Sequence, residues 1–373
     1  MEEAIIAEND EYFIKMFENP KLDSFSDIWK KLQFGHTLYM TFEAVSSYVK
    51  NIGNIGDIVL FILERKDNKT VESILPLKSK NYHIYKKFMF LFPKAGSNYE
   101  LLGTKNRFFI EEVFHRILSE RSIVVLQLIN PSFLENLVKF DIKEFQESEH
   151  FYVLTLPKTW QELLNTFDRK FRKNLNYYQR KITKDFSVSF ENIKNLKENK
   201  EHYESFVNLH KSLIKDKHQS SPFEYKPFVN YIFDLISGFE NNGGIFSIKL
   251  NGNTVCILLY VDWNNTRYFL NIGSLPDYKN YSVSRILIAY AIQDAINKGM
   301  KYFNFGQGDE PYKEDWGCKK FDNKSIKISS NWYVNSIDSL ITNIYNLIKY
   351  FMRTSLLQFP KKIWMNIFLR KGD

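Results

Sequence analysis

The chain has 373 residues, 44% hydrophobic and 25% charged, enough for about two domains with cores of their own and too balanced for a disordered, collagen-like or disulfide-stapled protein. Lys plus Arg number 51 against 43 Asp plus Glu, a net charge of +8. That balance permits an anionic partner, but the basic residues are scattered rather than banded, and a composition bias across the whole chain accounts for them as well. No apolar run reaches the ~20 residues that span a bilayer, and the acidic opening Met1-Glu2-Glu3-Ala4 lacks the basic start of a secretory signal. Cys256 and Cys318 form no CxxC pair, so the expected compartment is cytoplasmic.

In chain order, residues 1–24 read as an acidic, amphipathic lead-in, and a first domain is expected over 25–149. Within it, Asp57 to Arg65, Thr70 to Lys78 and His83 to Phe92 carry strand patterning, the first pair around a turn at Asp67-Asn68-Lys69. A helix is predicted from Arg107 to Ser119 and a short apolar strand from Ser122 to Ile129. A second domain is expected over 150–335, opening with a strand at Phe151 to Leu156. A charged helical stretch follows from Thr159 to Lys184, where Thr159 and Glu162 make a capping box.

After two more helical segments, Glu201 to Lys217 and Lys226 to Asn241, the order of three strands, helix and strand returns. Gly243 to Leu250 and Thr254 to Asp262 flank Asn251-Gly252, the strongest hairpin signal in the sequence. Asn264-Asn265 turns the chain into Thr266 to Gly273. The helix Val283 to Lys298 closes at Gly299, and Lys301 to Phe305 is the strand after it. The predicted fold class is therefore α/β (α+β), a duplicated unit in which each mixed sheet has flanking helices. Residues 336–373 form a basic amphipathic tail interrupted by Pro360. Such a tail suits a membrane surface, although tails of this kind more often pack on their own domain.

Chemistry concentrates between Gly273 and Trp316. A helix opening at Ser282-Val283-Ser284-Arg285 aims free amides and a positive dipole end at whatever precedes it, and Arg285 adds a charge suited to phosphate. Neither GxGxxG nor GxxxxGK[ST] occurs. The strand ending at Phe305 runs into Gly306-Gln307-Gly308-Asp309-Glu310-Pro311-Tyr312-Lys313, the position after a strand's carboxyl end where α/β folds bind ligands. Glu310 or Asp309 is placed to accept a proton, Tyr312 to donate one and Lys313 to hold an anion. Read alone, the run is also an ordinary polar turn, although Phe303, Phe305 and Trp316 beside it argue against full solvation. The seven histidines include no HExxH and have no CxxC companion, so no metal is expected.

The segment Phe303-Asn304-Phe305-Gly306-Gln307-Gly308-Asp309-Glu310-Pro311-Tyr312-Lys313 to Trp316 resembles the closing motif of the CelD/BioF2-like acetyltransferase family, a GNAT branch related to the Fem-type peptidoglycan-bridge aminoacyltransferases. Ile74-Leu75-Pro76-Leu77, Asn98-Tyr99, Phe171-Arg172-Lys173-Asn174-Leu175 with Arg180, and Phe206 to His210 resemble further family elements in the same order, over roughly residues 25 to 330. The resemblance implies tandem GNAT-like domains. The acyl donor, acetyl-CoA or another acyl-CoA, would lie along Ile272 and Gly273 with its pyrophosphate at Ser282, Val283, Ser284 and Arg285, and Lys313 would help to hold it. It further implies Arg172, Arg180, Tyr99, His210 and Trp316 as acceptor-side residues.

The implied function is transfer of an acyl group to an amine of a nucleotide-sugar, lipid-linked sugar or other cell-envelope or exopolysaccharide precursor. The implied place is the cytoplasm or the inner face of the membrane, with a peripheral contact through the tail. Two alternatives stand: a Fem-type transferase using aminoacyl-tRNA, and a non-catalytic envelope scaffold. This sequence departs from the family in two respects. Tyr281, Ser282 and Ser284 replace the usual phosphate-loop glycines, and Asn304 replaces an aspartate. The basic helix Asp168 to Lys184, interleaved with Phe171, Tyr177 and Tyr178, also fits nucleic acid, which the modest net charge disfavours.

Overall fold

Two mixed sheets organise the protein, seen in a computed structural model that describes residues 2–52, 56–91, 99–137, 139–146, 150–216, 220–322 and 324–354. Asn98 of the Asn98-Tyr99 element and the tail beyond 354, with Pro360, lie outside the described residues. The first sheet contains β1 (Glu2–Glu8), β2 (Tyr12–Glu18), β3 (Asp57–Arg65), β4 (Val71–Asn81), β5 (Lys86–Phe90), β6 (Leu102–Gly103), β7 (Ser122–Ile129) and β8 (Ile142–Gln146). Its order is β1-β2-β3-β4-β5-β7-β16-β8, with β6 beside β4 and β16 being Lys324–Ser329. The second contains β9 (Phe151–Thr155), β10 (Val188–Ile193), β11 (Gly243–Leu250), β12 (Asn253–Trp263), β13 (Thr266–Ser274), β14 (Tyr302–Gln307) and β15 (Lys319–Phe321), ordered β10-β11-β12-β13-β14-β9-β15.

The helices are α1 (Ser26–Leu32), α2 (Phe42–Ile52), α3 (Arg107–Leu118), α4 (Pro131–Leu134), α5 (Trp160–Thr166), α6 (Arg169–Asp185), α7 (Lys200–Asp216), α8 (Lys226–Gly238), α9 (Val283–Asn297), α10 (Tyr312–Asp315) and α11 (Trp332–Thr354). The centres of β3 and β12 are buried on both faces, which is why they read as continuous apolar runs instead of alternating ones. At Asn251-Gly252 both residues have positive φ, +50° and +82°, the conformation a tight two-residue hairpin requires. Thr159 Oγ1 accepts the Glu162 amide at 3.2 Å, while the Glu162 carboxylate reaches the Lys158 amide at 3.1 Å. The predicted charged helix breaks in two because Asp168 caps α6, accepting the Phe171 amide at 2.8 Å.

The duplication holds at the level of pairing. In the first sheet β3, β4 and β5 form an antiparallel meander, α3 crosses over, and β7 returns parallel to β5. In the second, β11, β12 and β13 form the meander, α9 crosses over, and β14 returns parallel to β13.

Two sequence expectations change. Residues 1–24 are not a lead-in, because β1 and β2 form a hairpin whose second strand pairs with β3 and buries Ile14 completely. Nor does the second unit run unbroken to 335. β16 crosses back to the first sheet, between β7 and β8, where Ile326 and Ile328 are buried. The units meet where α2 packs on α8, with Lys50 Nζ 2.8 Å from Asp234. Nearby, the side chains of Trp263 and Asn264 both donate to the His36 carbonyl, at 3.0 and 2.9 Å.

Candidate active site

The site begins where two parallel strands part. β13 and β14 pair only from Thr266–Tyr302 to Tyr268–Asn304, yet β13 continues to Ser274 and β14 to Gln307. A bulge sits on each outer side of the opening. The β12–β13 register slips between Leu259 and Tyr260, and the β14–β9 register slips between Asn304 and Gly306. Gly306 has φ +74°, and its amide donates to Asn304 Oδ1 at 2.7 Å. Asn304 therefore fixes the bend of β14. Past the last pair, the Ile272 amide donates to the Asn271 side chain at 3.1 Å, leaving the β13 edge without a strand beside it.

A cavity of about 340 Å³ lies beyond the parting, against the end of β13 and the start of α9. Ile272, Ser274, Leu275 and Pro276 line one wall, Val283, Ser284, Arg285 and Ile288 of α9 a second, and Tyr312 with Trp316 a third, while Leu213 and Asp216 at the end of α7 close the rim. Most of this surface is apolar, and its polar end is the start of α9.

The geometry at that start replaces the missing glycines. Ser282 adopts the left-handed conformation, φ +49°, that a glycine would take without strain, and its side chain makes no capping bond. The Ile286 amide is bonded to the Ser282 carbonyl at 3.1 Å. The amides of Val283, Ser284 and Arg285, one turn earlier, therefore precede intrahelical bonding and carry the positive end of the helix dipole. Ser284 Oγ donates to Ser274 Oγ at 3.2 Å and lies 3.8 Å from Cys256 Sγ, tying the helix start to the strand ends. Burial pushes the Cys256 thiol up to about 12, so it stays neutral. Arg285 sits 5.2 Å over the Phe171 ring and 3.3 Å from Asp315.

The loop after β14 divides into structural and exposed parts. Lys313 is 1% exposed, and its ammonium donates to the carbonyls of Gln307 and Gly308 at 2.6 and 3.0 Å and pairs with Glu310 at 2.8 Å. All three protons of that ammonium are thus engaged inside the loop, and Lys313 does not line the cavity. Glu310, more than half exposed, is held by Lys313, and Asp309 accepts the Tyr152 hydroxyl at 3.0 Å. Burial and that bond push the Tyr152 phenol up to about 12. Neither carboxylate lines the cavity. Tyr312 does, and burial, reinforced by the Glu310 charge, raises its phenol so that it remains a proton donor. Trp316 is buried, with its ring centroid 5.7 Å from that of Phe167 and 5.0 Å from that of Phe171, both edge-on.

Of the residues expected from sequence, Ile272, Ser282, Val283, Ser284, Arg285, Tyr312 and Trp316 come together around one cavity. The others do not line it. Tyr99 is buried in the core of the first unit. His210 is buried against Ser221, Nδ1 to Oγ 2.8 Å, and packs on Phe206 and Phe223. Gly273 lies under α7, where a Cβ would stand 2.6 Å from the His210 amide nitrogen, so it is a close-packing position. Arg180 is exposed on α6, donating to the Asn176 carbonyl at 3.3 Å, and Arg172 is half-buried on the same helix. Sequence reasoning passed over Asp216, the carboxylate that lines the cavity, and Lys279 in the turn before α9. A lysine just ahead of a helix start was a readable signal. Asp216 gave none, since nothing local marks which helix end meets the cavity.

Residues 169–314 match the family model described as an acetyltransferase (GNAT) domain, a span running from α6 into α10. The chain is similar in fold to FemX, at 12% identity over 83% of this chain and 96% of that one, TM-score 0.58. It is likewise similar to a conserved protein of unknown function from Bacteroides thetaiotaomicron, at 11% identity over 83% and 98%, TM-score 0.55. L-PGS from Bacillus licheniformis gives 12% identity over 87% and 95%, TM-score 0.52. No curated protein matches the sequence. The match over residues 169–314 marks this part of the chain as an N-acyltransferase domain. Residues 169–314 are thus similar to a GNAT domain, and the chain as a whole shares its two-unit fold with FemX.

Proposed function

We propose that the protein moves an acyl group from a coenzyme A thioester to an amine of a cell-envelope or polysaccharide precursor on the cytoplasmic side. The single observation carrying this reading is that an apolar cavity lies between the end of β13, past its last pair with β14, and the unpaired amides of α9. A pantetheine arm needs an apolar slot with an open strand edge to bond, and a pyrophosphate needs a helix start with cations, here Arg285 and Lys279. The amine nitrogen attacks the thioester carbonyl carbon, the carbon–sulfur bond breaks, Tyr312 protonates the departing thiolate, and Asp216 accepts the proton released from the amine. Calorimetric titration with acetyl-CoA, longer acyl-CoAs and free CoA tests the donor. Saturable binding that Arg285→Glu weakens about tenfold supports it; no binding of any thioester to the wild type overturns it.

The Fem-like fold and the exposed basic face of α6, with Arg169, Lys170, Lys173 and Arg180, support a second reading in which the donor is an aminoacyl-tRNA. Transfer of radiolabel from charged tRNA, with none from acyl-CoA, would favour it.

A further inference from the structure

The helix α11 starts on the first sheet and continues past it. Val334 is fully buried beside Tyr85 and Ile123. Asp338 is buried where the Tyr85 hydroxyl donates to it at 2.9 Å and the ammonium groups of Lys87 and Lys327 pair with it at 2.8 and 2.9 Å. These contacts fix the rotation of the helix on the body. On an adjoining face Tyr333 and Ile337 still pack against the sheet. The same helical spacing then continues as Leu340, Ile344 and Leu347, which are 60%, 49% and 56% exposed. Trp332, at the start of the helix, is 81% exposed.

The charge of this region selects the occupant. From Ser336 onward the sequence carries Lys349, Arg353, Lys361, Lys362, Arg370 and Lys371. Its only acids are Asp338, already engaged in ion pairs, and Asp373. A second copy would bring the same excess of positive charge and be repelled, whereas an anionic bilayer surface attracts it. Among the described residues no helix is long and apolar enough to cross a membrane.

We propose that α11 docks the protein on an anionic lipid surface, with Leu340, Ile344 and Leu347 in the headgroup layer. The proposal does not depend on the donor site. Its test is co-sedimentation of the full chain with vesicles of phosphatidylcholine containing about one-third phosphatidylglycerol, against phosphatidylcholine alone. The expected result is pelleting with the anionic vesicles that L340N/I344N/L347N lowers about tenfold, while circular dichroism of the variant stays that of the wild type. A wild-type chain left in the supernatant, or a variant that pellets as the wild type does, overturns the proposal. So does light scattering that shows a wild-type dimer, abolished in the variant, without vesicle binding. A chain ending at Thr354 that pellets more strongly than the full one would assign the stripe to cover by residues 355–373, and would likewise overturn it.

Discussion

A carboxylate can serve as a proton acceptor only if it faces the reacting atoms, and the lining of the cavity separates two candidates on that ground. Glu310 is held by Lys313 on the loop, outside the cavity, whereas Asp216 stands at its rim. Asp216→Asn is expected to lower turnover by about 10²-fold with donor affinity kept, and Glu310→Gln to stay within about threefold of wild type. Steady-state rates with donor saturating check both. A second residue-scale prediction concerns Lys194, whose Nζ is buried without a hydrogen-bond partner, 4.5 Å over the Tyr260 ring. Burial, then the nearby charge of Lys298, pushes its ammonium from 10.5 down to about 8. The folded state therefore holds fewer protons than the unfolded chain between about pH 8 and 10.5, and this group makes stability rise with pH across that window. Below pH 8 the cost of the buried charge is present in full. Lys194→Met should stabilise the protein by about 1–2 kcal/mol at pH 7 and by nothing near pH 10.5, as read from urea unfolding at the two pH values.

At the scale of elements, Arg267 joins the β12–β13 hairpin to the crossover helix. Its guanidinium is completely buried, bidentate to Asp262 at 2.7 Å on both arms, and bonded to Asp294 at 2.7 Å and the Ala291 carbonyl at 2.8 Å. Removing it leaves the buried Asp262 and the half-buried Asp294 to share Lys298, 3.6 and 3.2 Å away, so Arg267→Ala should cost about 3–5 kcal/mol of unfolding free energy in denaturant titration. The strands around it were legible because their signals are local: Asn251-Gly252 for the turn, an apolar run for β12, Gly299 for the end of α9. The parting of β13 from β14 was not, since it arises from two bulges that change register without changing composition. The setting of Lys313 was hidden for a related reason. A lysine amid acids in a glycine-rich loop looks solvated, and only the fold shows its ammonium turned inward onto Gln307 and Gly308. β16 escaped notice because the alternation Ser325-Ile326-Lys327-Ile328 suits a strand of either sheet, and nothing local shows that it pairs between β7 and β8.

Across the whole molecule, two units of the same pairing order raise the question of why one of them keeps a cavity. In the first unit the parallel pair β5–β7 runs from Lys86–Ser122 to Met89–Val125. Beyond it the chain at Tyr99 takes up the place beside β7, forming a parallel bridge with Ile129. Its amide donates to the Leu128 carbonyl at 2.8 Å, and the Asn130 amide donates to the Tyr99 carbonyl at 2.9 Å. The Tyr99 ring packs against Phe90, 6.1 Å between centroids, within an aromatic group that includes Phe133. The place beside the returning parallel strand, where β13 and β14 part in the second unit, is thus taken by the protein's own backbone in the first unit. This explains why the Tyr99 element, which the family resemblance placed on the acceptor side, is instead part of a core. One consequence is a stoichiometry. Calorimetry should give a single thioester site per chain, unchanged in Tyr99→Ala even though that substitution costs about 3–5 kcal/mol of stability through the void it leaves. Two sites of similar affinity in the wild type would mean that the first unit also binds donor, and that the Tyr99 segment opens to admit it.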